Sequence, residues 1–278
     1  MRPIAQWLLL FCAFLLSIEA QAHHTAGHLA SSSTFYNPFN DSSRPPRSFV
    51  DLFFSVDGLD EDLGEIFTTQ ISGEYALHPR FSIGARLPVI SIHDRFLPQK
   101  TSIGDVALTL KTLLLKNKDW FLSAGLDTSF PTGKEADGLG AGEVMFSPFV
   151  TLGKNWKYLH GFLTLGSGIG SKTGRPTFDY STGLNIPLIK GALPIDLFLA
   201  FQGNTYLSSD LFETGSSKAY LKPGLIFHIH SKLTATAGGK ISILDTLKGK
   251  NGTLFARNSL LLLNDVKGGF IFDLNYSF

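Results

Sequence analysis

The stretch Gly268-Gly-Phe-Ile-Phe-Asp-Leu-Asn-Tyr-Ser-Phe278 at the C-terminal end decides how the rest of the chain is read. From Phe270 onward every second residue is large and apolar: Phe270, Phe272, Leu274, Tyr276 and Phe278. Ile271, Asp273, Asn275 and Ser277 lie between them and are mostly polar. A period of two marks a strand with two unlike faces.

The same period recurs upstream. Trp120, Leu122, Ala124, Leu126, Thr128 and Phe130 oppose Phe121, Ser123, Gly125, Asp127 and Ser129. Ile195, Leu197, Leu199 and Phe201 oppose Asp196, Phe198, Ala200 and Gln202. Phe178, Tyr180, Leu184, Ile186 and Leu188 oppose Asp179, Ser181, Gly183 and Asn185. Turn formers cut the chain into twelve such strands, at about 48–56, 65–78, 80–92, 103–116, 119–130, 143–154, 158–169, 176–188, 194–205, 217–230, 232–244 and 267–278. Tight connections at 78–80, 117–119, 155–157, 190–193 and 231 alternate with longer ones at 57–64, 93–102, 131–142, 206–216 and 245–266, with 170–175 between the two classes. That asymmetry belongs to membrane barrels, which keep short turns on the periplasmic side and long loops outside. An even number of strands puts both chain ends on the periplasmic side. The expected fold is all-β: a transmembrane antiparallel β-barrel of about twelve strands, occupying residues 48–278.

Composition agrees. The net charge is +1 and no basic run occurs, so nothing favours nucleic acid. Charged residues make up only 17%, which suits a chain with much surface toward lipid. Residues 1–22 read as a signal peptide: Arg2, an apolar core from Trp7 to Ser17, then Ala20-Gln21-Ala22 before a mature start at His23. The core falls short of the roughly 20 residues that a spanning helix needs. The single cysteine, Cys12, lies within it, so the mature chain is expected to be stable without disulfides. Residues 23–47 show no period and many turn formers, and read as a periplasmic arm or a lumen plug.

Three resemblances narrow the expectation. A terminal strand that ends on an aromatic residue resembles the last strand of bacterial outer-membrane barrels, which implies recognition of that strand by the barrel-assembly machinery. Ser102-Ile-Gly-Asp-Val-Ala-Leu-Thr-Leu-Lys111 resembles the Gly-Asp strand of the outer-membrane family known as "meta-pathway of phenol degradation". Ser129-Phe-Pro-Thr-Gly133, Gly138-Leu-Gly-Ala-Gly142 and Ser147-Pro-Phe-Val are similar to that family's Pro-Thr-Gly loop and the strand after it. The likeness covers about 50 residues. It implies porin-like transport of aromatic or other hydrophobic solutes.

If the apolar bands face lipid, the opposite faces line a lumen. Asp51, Glu74, Asp105, Asp127, Asp179, Asp196 and Asp273 then point inward, with Arg86, Lys111, Lys222 and Lys240. These charges are either a channel wall that selects solutes or a salt-bridge network that fills and stiffens the barrel. Phe121, Phe149, Phe162, Phe198 and Phe227 break the rule of alternation, several of them on the inward face. They offer an apolar path, or packing against the N-terminal segment. His23, His24 and His28 open the mature chain and, with a free amine, suit copper, nickel or zinc. His78, His160, His228 and His230 fall near periplasmic strand ends on the inward parity, but on strands that need not converge.

Catalysis is the weakest class. Outer-membrane barrels that act on lipids need a nucleophile, a base and an orienting acid, and only His93, followed by Asp94, lies near the outer rim. No nucleophile motif surrounds it. The expectation is a monomeric outer-membrane channel that contacts lipid and a small solute and carries no resident cofactor. The competing reading is a structural or metal-handling barrel with no transport role.

Overall fold

A computed structural model describes residues 44–59, 64–94, 98–137, 139–172, 176–207, 215, 217–245 and 266–278. Among them thirteen strands run antiparallel: β1 (Phe49–Leu59), β2 (Gly64–His78), β3 (Phe81–Asp94), β4 (Lys100–Ile103), β5 (Val106–Lys116), β6 (Trp120–Phe130), β7 (Met145–Asn155), β8 (His160–Gly170), β9 (Pro176–Ile189), β10 (Ile195–Tyr206), β11 (Ser217–His230), β12 (Leu233–Asp245) and β13 (Val266–Ser277). Apart from β4 and β5, each strand pairs with the next in the chain, and β1 pairs with β13, so the sheet closes on itself. β4 and β5 both pair with β3, the first along Val89–Ile92 and the second along Phe81–Arg86. They are two halves of one stave. The barrel therefore has twelve staves.

The break in that stave has a cause in β3. Pro88 has no N–H to donate to the ladder, and it sits between the part of β3 that pairs with β4 and the part that pairs with β5. Its carbonyl instead accepts from Gly104 N at 2.9 Å. Gly104 and Asp105 form a bulge that shifts the alternation by one residue, so Ser102 and Asp105 share the inner face. The sequence reading of one strand over 103–116 missed this interruption, because Pro88 lies in a different strand.

The alternation behaves as physics requires of a sheet with lipid outside. On β13, Ile271, Asp273 and Asn275 are buried, whereas Phe270 is 51% exposed and Phe278 57%. The same outer belt carries Leu52, Ile71, Leu87, Leu110, Leu126, Leu165, Leu199 and Leu225. Near the tight-turn end Tyr75, Trp156, Tyr158 and Tyr276 stand exposed, as an aromatic girdle does at a bilayer interface.

The turns obey local chemistry. Asn117 Oδ1 accepts from Asp119 N at 2.9 Å and Trp120 N at 2.8 Å, an Asx turn joining β5 to β6. Both described chain ends lie at the tight-turn end, with Phe49 opposite Ser277. The alternation of loop lengths is less strict than the sequence suggested. Strands extend further than read, so connections 60–63 and 171–175 are as short as 156–159 and 190–194.

Candidate functional site: a charged interior and a pocket at the turn end

The inner wall is built from the polar faces of the strands. Asp51, Glu74, Arg86, Asp105, Lys111, Asp127, Asp179, Lys222, Lys240 and Asp273 are all buried, and Asp196 is half-buried. Several are joined across a neighbouring stave. Lys111 Nζ lies 2.6 Å from Glu74 Oε2, and Ser82 Oγ donates to Glu74 Oε1 at 2.7 Å. Arg86 pairs with Asp127, which also accepts from Thr109 Oγ1. Lys240 lies 2.9 Å from Asp57, and Lys222 donates to Gln202. Ser72 Oγ donates to Asp51 Oδ2 at 2.9 Å.

Asp105 has a different task from its neighbours. The bulge aims its carboxylate at the connection between β6 and β7, where it accepts from Gly133 N at 3.0 Å and Ala141 N at 2.6 Å. Thr132 Oγ1 donates to Gly104 O at 2.8 Å and accepts from Val106 N at 2.9 Å. Loop 131–144 is thereby fastened to the stave break, with Leu139 and Ala141 fully buried. Lys100, opposite the buried Ile92, meets Asp137 of this loop at 3.1 Å, so the loop lies over the interior. Its glycines are required by close approach: a Cβ on Gly133 would stand 2.1 Å from Leu139 O. Gly142 has a φ of 68°, in the left-handed region. The Gly-Asp and Pro-Thr-Gly stretches, separate in sequence, are thus one structural unit.

The phenylalanines divide. Phe121, Phe149, Phe162 and Phe198 are buried on the inner face. All four lie across a glycine of an adjacent strand, in the pairs Phe121–Gly153, Phe149–Gly125, Phe162–Gly183 and Phe198–Gly224. A Cβ on Gly153 would come 2.1 Å from the Phe121 ring. The rings therefore cover the wall instead of crossing the interior. Phe227 does not belong with them. It pairs with Ile195 on the outer face, and the inner position is taken by Ile226, which packs with Phe162, Phe198 and Ala200. Opposite residues of an antiparallel pair share a face, so the parity of Asp196–Ile226 fixes this correction.

At the tight-turn end the interior opens into a pocket of about 330 Å³. Arg44, Lys116, Lys118, Trp120, Phe121 and His160 line it, with amide side chains from Asn117, Asn155 and Asn185. His160 Nδ1 bonds Asn155 Oδ1 at 2.8 Å, and its ring stacks on Phe121 with centroids 6.4 Å apart. The segment before β1 is anchored here: Arg47 N donates to Glu74 Oε1 at 3.1 Å and Lys111 Nζ to Arg44 O at 3.4 Å. Burial lowers the pKa of Arg44, with Asp196 acting in the opposite direction. Arginine stays a cation regardless.

The remaining histidines stand apart. His228 Nε2 lies 2.8 Å from Asp196 Oδ2. His78 and His230 are exposed at strand ends where the register slips. No group of three or more metal-ligating side chains occurs among the described residues, and His23, His24 and His28 lie outside them. His93 is exposed on the outer face, where Nε2 meets Ser91 Oγ at 3.1 Å and the ring leans on Phe67. Sequence reasoning missed the pocket, because its walls come from the segment before β1 and from the turn ends of β5 to β9, which meet only in the folded sheet.

No protein-family model matches the sequence, and no curated protein does. Solved structures do. An outer membrane channel from Pseudomonas putida F1 is 13% identical with a TM-score of 0.59, covering 87% of this chain and 99% of that one. The NanC porin is 9% identical with a TM-score of 0.54, covering 83% and 100%. The beta domain of the Bordetella autotransporter BrkA is 8% identical with a TM-score of 0.50, covering 84% and 100%. Channels and an autotransporter share this architecture, so the likeness speaks to fold and not to cargo. The closed twelve-stave barrel with its apolar outer belt has the fold of the outer-membrane β-barrels to which it is similar.

Proposed function

We propose that the protein is an outer-membrane channel for small solutes, with hydrophobic and aromatic compounds as its cargo. The observation that carries this reading is the inner wall. Charges of both signs and four phenylalanine rings share one interior, enclosed by a ring of paired strands. Solutes would bind along this mixed wall and move down their gradient, with no covalent step and no energy source. Loop 131–144 and residues 44–47 stand at opposite ends of that path and would set its width. The fold shared with two proteins named as a channel and a porin supports the channel reading. The choice of cargo leans on the Gly-Asp and Pro-Thr-Gly resemblance and on the inner rings.

Single-channel recording of the refolded barrel in a planar bilayer tests this. Discrete conductance steps that aromatic solutes block are the expected result. A folded barrel that stays silent would defeat an open pore.

A specific observation favours a second reading. The pairs Lys111–Glu74 and Arg86–Asp127 bridge staves inside the barrel and would stiffen a closed structure with no transport role. Metal handling would then fall to His23, His24 and His28. Calorimetric titration of copper, nickel or zinc separates that role from transport.

A further inference from the structure

We propose that the pocket at the tight-turn end is a binding site for small aromatic carboxylates. This narrows the cargo of the channel and rests on the channel reading. The pocket's volume of about 330 Å³ is roughly twice the 150 Å³ of an apolar cavity that accepts benzene. A substituted ring fits, with space for a carboxylate and its water.

The two sides of the pocket differ in chemistry. One is aromatic: Phe121, buried, with the His160 ring nearly parallel at 10°. Offset stacking of a further ring on such a surface is favourable. The other is cationic: Arg44, Lys116 and Lys118, with no aspartate or glutamate among the described residues of the lining. Among the described residues, an acid that acts on Arg44 is Asp196, which is already bonded to His228. Guanidinium and ammonium groups in this setting call for a carboxylate or a similar anion. Asn185 Oδ1, also in the lining, is buried with no hydrogen-bond partner among the described residues, and would accept from a ring hydroxyl. A neutral hydrocarbon would leave the cations unanswered. An aliphatic anion would leave the ring surface unused. The aromatic carboxylate answers both. Lysines exposed at the mouth would also steer anions toward it.

Trp120, the residue before Phe121 at the start of β6, borders the pocket, and its emission is the readout. The experiment uses the chain without residues 1–22, refolded in detergent and carrying Trp156→Phe so that Trp120 is the remaining indole. Benzoate, benzyl alcohol and acetate are titrated in turn. Benzoate should change the emission saturably and bind about tenfold more tightly than either control. Lys116→Gln with Lys118→Gln should weaken benzoate about tenfold, and the corresponding arginine variants should not. Equal binding of benzyl alcohol and benzoate, or indifference to the glutamine pair, would overturn the site. Entry of a neutral sugar into liposomes, measured on the same proteins, keeps the two readings apart. Sugar entry without benzoate binding removes the site and leaves the channel. Benzoate binding without any entry removes the channel, and with it the assignment of benzoate as cargo.

Discussion

Lys240 Nζ lies 2.9 Å from Asp57 Oδ1, and Gly269, on the strand between them, pairs in register with both residues. The ion pair spans β13 and reinforces the junction of the first and last strands. Its bridge needs a residue without a side chain in the middle. A Cβ on Gly269 would stand 2.6 Å from Asp57 Oδ1 and 2.4 Å from Val56 O. Asp57→Asn should therefore lower the unfolding free energy by about 2 kcal/mol, since it leaves a buried ammonium without its counter-charge. Asp57→Leu with Lys240→Met should cost less than Asp57→Asn alone. Urea unfolding in detergent, followed by tryptophan emission, measures both.

Asp105 holds loop 131–144 by two backbone amides. Asp105→Asn keeps the shape but can accept from only one N–H without presenting its own donor to the other. Loss of one charge-assisted bond costs about 1.5–3 kcal/mol, enough to release the loop. The variant should be cut faster by trypsin at Lys134 and should show larger conductance steps. Unchanged cleavage and conductance would mean that the glycine packing alone retains the loop.

Gly153→Ala should destabilise the barrel by about 1–3 kcal/mol, because the new methyl overlaps the Phe121 ring. Adding Phe121→Leu should recover most of that loss. The coupling between the two positions, read from a double-mutant cycle, is the decisive quantity.

Removal of residues 23–47 takes away the Arg44 and Arg47 contacts at the turn end. Larger single-channel currents are expected if this segment narrows the mouth. Unchanged currents together with lost copper or nickel affinity would assign it to metal instead.

The strands were legible in the sequence because each one alternates in its own right. Trp120 to Phe130 needs no partner to show which residues face lipid, and its observed bounds are the ones expected within a residue. Features that depend on two strands at once were not legible. Pro88 breaks a stave that begins twelve residues later, and the bulge at Gly104–Asp105 turns a wall charge into a loop anchor. Phe227 was assigned by residue type, whereas its face is set by the partner Ile195. The glycines beneath Phe121, Phe149 and Phe162 were visible only as composition, since the match of ring to glycine is a matter of register. The pocket was hidden for the same reason, with Arg44, before β1, and Asn185, on β9, meeting only in the folded chain.

The pairing of β1 with β13 also has a consequence in time. Arg47 touches Ser277, 230 residues further along the chain, and Phe49 faces Ser277 in the ladder. No ribosome can supply that contact until Ser277 has been added to the chain. Until then β1 presents an unmatched edge, and the side chains that will face lipid have no bilayer. Contacts so distant in sequence make folding slow, and open edges invite pairing with the wrong chain. A chain that closes in this way is safest when kept apart from its copies until the barrel shuts, and its rate of closure becomes a quantity that selection can act on.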